Sequence, residues 1–192
     1  MDRIDTKKLN RWAKEIHDNA TAHGWHEEKH SPEHWLSLIM CEVAEAIEAD
    51  RKGKYYIATV TEPSSKDSKY YYQYWYENNV KGTVSEEFAD IVIRLLDMAY
   101  ELYGPAMFDC LDSSHGQKTI NIYVFPKPEK SLCENAWLFV KLLLNDFQQV
   151  ILCSIAFMYI WANQLGIDLD QHIVWKMKYN ESRPYKHGGK KY

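Results

Sequence analysis

Residues 36–54, LSLIMCEVAEAIEADRKGK, decide how the rest of the chain is read. On a helix at 100° per residue, Leu36, Ile39, Met40, Val43 and Ile47 share one apolar arc. Glu42, Glu45 and Glu48 fan across the other side, interleaved with Leu38 and Cys41. Glu42 and Glu45 are three apart, so their carboxylates can point at one object. Apolar residues between the acids imply that another element covers them, and covered carboxylates require a counter-charge. A cation or a basic side chain would supply it.

A second stretch has the same design. Residues 85–103, SEEFADIVIRLLDMAYELY, carry Glu87 and Asp90 at the same offset. The apolar arc there is Phe88, Val92, Leu95 and Ala99, with Ile91 and Met98 at its margin, while Glu87, Asp90 and Arg94 lie together elsewhere. Either pair alone reads as a solvated stripe, because charged residues are mostly exposed. Two such pairs on apolar helices offer four carboxylates, Glu42, Glu45, Glu87 and Asp90, to a hard cation such as Mg²⁺, with Mn²⁺ as the substitute ion.

Composition narrows the class. The chain has 192 residues, 46% hydrophobic and 26% charged, which predicts one soluble domain over residues 1–192. A net charge of −4 disfavours a nucleic-acid partner. The four cysteines lack C-x-x-C spacing, so they read as reduced thiols, three of them in apolar helical runs, in a cytoplasmic protein. The N-terminus MDRIDTKKLN has no apolar run and is not a secretory signal.

In chain order, residues 5–22 predict a helix ended by Gly24, and Ser31 with Pro32 opens the next, which stops at Gly53. Residues 54–82, rich in Tyr, and 104–130 read as irregular insertions, the latter with a short strand near 119–125. Thr83 or Ser85 caps the third helix, which ends before Gly104. Residues 131–146 and 147–166 predict two apolar helices or one broken one, too short and interrupted for a membrane span. A last helix starts at Asp168 and runs to Pro184. It aligns Lys176, Asn180 and Arg183, a mix of point charge, amide and planar fork that suits phosphate oxygens. A basic end complementing the helix dipole is the plainer alternative.

Glu42-x-x-Glu45, Glu87-x-x-Asp90 and Lys176-x-x-x-Asn180-x-x-Arg183-Pro184, followed by His187-Gly188, resemble the MazG-like all-α nucleoside triphosphate pyrophosphohydrolases, relatives of the dimeric dUTPases. The resemblance spans roughly residues 31–53, 83–100 and 160–190, and the long separation of the two acid motifs departs from it. It implies an all-α bundle that hydrolyses (d)NTP to (d)NMP and pyrophosphate. Glu42, Glu45, Glu87 and Asp90 would then hold Mg²⁺, and Lys176, Asn180 and Arg183 would lie near the phosphates. A metal ion polarises phosphoryl oxygens and a carboxylate can take a proton from water. Glu45 is the preferred base over Glu42 because it lies further from the apolar arc.

Two other classes fit parts of the chain. A di-iron carboxylate bundle requires Glu-x-x-His on helices, and Glu27-x-x-His30 and Asp112-x-x-His115 fall in predicted loops. A non-catalytic helical interaction module would use the acids as surface stripes and the Tyr-rich insert as a partner face. The wide apolar arcs, above all residues 150–162, VILCSIAFMYIWA, predict a homodimer or higher homo-oligomer.

Overall fold

The computed structural model describes residues 5–57, 62–64, 68–105, 107–109, 124–144, 147–189 and 191. Among these residues the chain is all-α, with no strand. The helices are α1 (Thr6–Ala22), α2 (Pro32–Arg51), α3 (Lys69–Asn79), α4 (Val84–Tyr103), α5 (Leu132–Leu143), α6 (Phe147–Gln164), α7 (Leu169–Ser182) and a final turn, α8 (Lys186–Gly189). Local chemistry sets their starts. Thr83 accepts from the Glu86 amide at 3.2 Å, and Asp168 accepts from that of Gln171 at 3.1 Å. Ser131 and Glu134 close a capping box on α5. Ser31 precedes α2 without a side-chain cap bond, and Pro32 supplies the preset φ instead.

Helix α4 is the axis of the molecule. It packs against α1, α2, α6 and α7, and its residues are buried nearly all round. Phe88, Ile91, Leu95 and Met98 are fully buried, and Phe88 meets Trp161 of α6 at 4.6 Å between rings. A helix enclosed in this way carries its functional acids into the interior, where they cannot be a solvated stripe.

The structure revises three sequence-based expectations. On helix α2, Met40 of the expected apolar arc is exposed, while Glu42 is buried beside Val43 and Ala46, covered as the apolar residues between the acids implied. The irregular insertion at 54–82 contains α3, whose Tyr72, Trp75 and Tyr76 share one face at helical spacing. That face packs on Trp175 and Tyr179 of α7, with Tyr76 and Tyr179 stacked at 4.4 Å. Cys41 and Cys133 are exposed, so of these apolar-run thiols only Cys153 is in the core. The strand expected near 119–125 lies outside the described residues as far as 123, and Val124 and Phe125 are irregular. Helix α6 is covered within the chain, with Ile151, Ile155, Phe157 and Trp161 all buried. No single helix among the described residues is long and apolar enough to cross a membrane.

Candidate functional site

Helices α2, α4 and α7 converge on a cleft of about 980 Å³ that contains every sequence-predicted site residue: Glu42, Glu45, Glu87, Asp90, Lys176, Asn180 and Arg183. At its floor, Glu42, Glu87 and Asp90 offer one oxygen each within 4.8 Å of one another. Glu45, one turn beyond Glu42, is exposed on the cleft wall and is not part of that tight group.

Two cations hold the acids. The Arg94 Nε donates to Glu42 Oε1 at 2.5 Å. The buried Lys176 ammonium reaches Glu86 Oε1 at 2.5 Å and Asp90 Oδ2 at 2.6 Å. Lys176 therefore serves the carboxylates directly, deeper than the phosphate-facing position expected from its spacing. Glu86 is the residue that the sequence reading missed. It also accepts from the Tyr76 hydroxyl at 3.1 Å and from the Gly82 amide, so both its oxygens are occupied by protein donors. It anchors Lys176 and leaves Glu42, Glu87 and Asp90 to face the cleft. The run Ser85-Glu86-Glu87 shows two adjacent acids, but only contact with α3 and α7 separates their roles.

The electrostatics point to an added cation. Burial pushes the Glu87 carboxyl up to about 9, with Asp90 and Glu86 adding repulsion. Burial also raises Asp90, with Lys176 opposing it and Glu42 and Glu86 reinforcing it. For Lys176, burial favours loss of the proton, yet Asp90 and Glu86 outweigh burial and raise its pKa. Were Glu42, Glu86, Glu87 and Asp90 all ionised, they would leave two formal negative charges over Lys176 and Arg94, an excess that the raised Glu87 and Asp90 carboxyls resist without a further cation. A divalent ion preferring oxygen ligands balances that excess, so the donor set fits Mg²⁺ or Mn²⁺.

The outer cleft carries both signs of charge, with Lys81, Arg183, Lys186 and Lys191 beside the exposed Glu27, Glu28 and Glu181. Arg183 sits over the Tyr179 ring at 5.8 Å, and Lys186, His187 and Lys191 line the same opening. The tail bearing them is fixed to α1: the Lys186 amide donates to His23 O at 3.0 Å, and the His23 ring bonds Arg183 O at 2.9 Å. Lys186 also pairs with Glu27 at 2.9 Å, and Glu27 accepts from the Tyr185 hydroxyl. That engagement gives Glu27 a structural role in place of the di-iron ligand considered with His30, while Asp112 and His115 lie outside the described residues. Asn180 Oδ1 is buried with no hydrogen-bond partner, an acceptor that a ligand donor would satisfy. No protein-family model, curated protein or solved structure matches the chain.

Proposed function

We propose that the chain is a MazG-like nucleoside triphosphate pyrophosphohydrolase, converting (d)NTP and water to (d)NMP and pyrophosphate with Mg²⁺, for which Mn²⁺ substitutes. The observation that carries this reading is the convergence of Glu42, Glu87 and Asp90 within 4.8 Å at the floor of a cleft that Asn180 of α7 and Arg183 at its end also line. Carboxylates at the floor with a guanidinium and an amide within reach match a polyanion that must arrive with a metal.

Glu42, Glu87 and Asp90 would hold the ion, with Glu45 beside them. The metal would neutralise phosphate charge and polarise the phosphoryl oxygens. Arg94 and Lys176 hold Glu42 and Asp90 in fixed orientations, which removes that ordering cost from the reaction. Glu45, exposed on the wall, accepts the proton of the attacking water as the α–β anhydride bond breaks. Arg183 and Lys186 meet the departing pyrophosphate with charge-assisted hydrogen bonds.

The test is pyrophosphate release from the common ribo- and deoxyribonucleoside triphosphates, including dUTP, by point variants. Glu42→Gln, Glu87→Gln and Asp90→Asn should each abolish turnover with the helical circular dichroism retained. Glu45→Gln should slow it by about 10²–10⁴-fold, as expected for a general base. Arg183→Ala should raise KM for triphosphates about 10–100-fold, the worth of one charge-assisted hydrogen bond, and leave nucleoside binding unchanged. Full activity in all four acid variants would remove the proposed centre.

A further inference from the structure

We propose that His17, His26 and Asp97 form a second metal site, built for a borderline transition ion of the Zn²⁺ class and separate from the carboxylate cluster. The three residues come from α1, the α1–α2 loop and α4, and each offers one ligand atom within 4.8 Å of the others. His17 Nδ1 and His26 Nε2 lie 3.0 and 2.9 Å from the same Asp97 Oδ1. Metal–ligand bonds of 2.0–2.1 Å in a tetrahedral site place neighbouring donors about 3.3 Å apart, so a small opening of this triangle admits the ion. The imidazole rings are tilted by 49° with centroids 4.1 Å apart, and one nitrogen of each converges on the same carboxylate oxygen.

A second carboxylate completes the arrangement. Glu101 lies one turn beyond Asp97 on α4, and its Oε2 approaches the opposite nitrogens of both rings, His17 Nε2 at 3.8 Å and His26 Nδ1 at 3.6 Å. Metal-bound histidines characteristically give their other N–H to such a carboxylate, which fixes tautomer and ring orientation. Asp97 is then the ligand, and Glu101, now beyond hydrogen-bond length, would become the orienting group when the rings shift onto the ion. Aromatic rings wall the site: Trp35 stacks on His26 at 5.4 Å and Tyr100 lies against His17 at 4.6 Å. Asp97, though buried, borders the cleft, the side from which a fourth donor would come.

Two imidazoles and one carboxylate favour Zn²⁺, Co²⁺ or Fe²⁺ over Mg²⁺, whereas the all-oxygen cluster has the reverse preference. Asp90 and Asp97 are two turns apart on α4, about 10 Å along its axis, so one ion cannot serve both groups. An ion on the histidines would tie α1 and the loop bearing Trp25 and His30 to α4, fixing that wall of the cleft. This inference does not depend on nucleotide hydrolysis.

Zn²⁺ titration of the metal-free full chain, followed by imidazole NMR, tests it without any variant. One equivalent is expected to shift the His17 and His26 ring resonances together. Unmoved rings in excess Zn²⁺ overturn the proposal, as does a shift confined to His30 and His34, whose rings stack at 4.0 Å nearby. Co²⁺ then reports geometry: a tetrahedral d–d band is expected, with affinity at least about tenfold weaker in Asp97→Asn and retained in Glu87→Gln. Unchanged affinity in both Asp97→Asn and His26→Gln would also overturn it.

Discussion

At the residue scale, burial decides which polar groups carry function and which carry risk. Glu86 and Glu87 are neighbours in sequence, yet Glu86 is saturated by Tyr76, Gly82 and Lys176 while Glu87 is left raised to about 9 in the cleft. The three-residue spacing made Glu42, Glu87 and Asp90 readable in the sequence, because helical geometry alone brings such residues to one face. Glu86 was not readable, since its role depends on contact with α3 and α7. His17, His26 and Asp97 were invisible for the same reason: they come from three different segments and share no spacing. A further buried group makes an acid-sensitive switch of stability. His172 is enclosed by the rings of Tyr56 and Trp175, each 5.0 Å away, and its Nδ1 has no partner. Burial lowers its pKa to about 4, despite raising contributions from Asp168 and Glu86. The folded value lies below the ordinary 6.5, so the unfolded chain binds this proton more tightly. Stability contributed above pH 6.5 should therefore fall as the pH drops toward 4, by on the order of 3 kcal/mol. Denaturant melts across that window should show the loss, and His172→Leu should flatten it. An equally steep loss in the variant would assign the acid sensitivity to other groups.

At the element scale, helix starts were written locally and helix faces were not. Thr83, Asp168 and the Ser31-Pro32 pair mark their helices because a cap or a preset φ acts within a turn. The orientation of α2 depends instead on what α4 presents to it: Arg94 draws Glu42 inward, and Met40 is left outside. The sequence of α3 hid its helix because its Tyr-rich run shows no contrast between an apolar and a polar side. The spacing of Tyr72, Trp75 and Tyr76 was the available clue. The joint between α1 and the C-terminal tail yields a direct test. Gly24 follows the α1 cap at φ +81, the left-handed region, and a Cβ there would run into the Tyr185 ring. Gly24→Ala should cost about 1–2 kcal/mol for the backbone alone. The collision should add to this and disappear in a Tyr185→Ala background, where the backbone cost remains. Thermal melts of the two single variants and the double variant measure that difference. Strict additivity would mean that the tail does not rest on Gly24.

At the scale of the whole molecule, the buried α4 axis carries both clusters, the carboxylates toward α2 and α7 and the histidine-bound Asp97 toward α1. One cleft runs past both. Burial of α6 inside its own chain accounts for one of the wide apolar surfaces, but large apolar side chains remain outside. On α5 and just past its end, Trp137 is 60% and Leu144 73% exposed, and on α3 Tyr70 is 79% exposed. A two-fold dimer covering such residues is expected, with light scattering at micromolar concentration giving about twice the 22.7 kDa chain mass. A mass of one chain would mean these side chains stay in solvent. The catalytic claim is decided by the bond that breaks. Phosphorus NMR of a nucleoside triphosphate incubated with the chain and Mg²⁺ should show monophosphate and pyrophosphate growing in equal amounts, with neither when Mg²⁺ is withheld. Nucleoside diphosphate with inorganic phosphate as the products, or no hydrolysis of any triphosphate in Mg²⁺ or Mn²⁺, would contradict it.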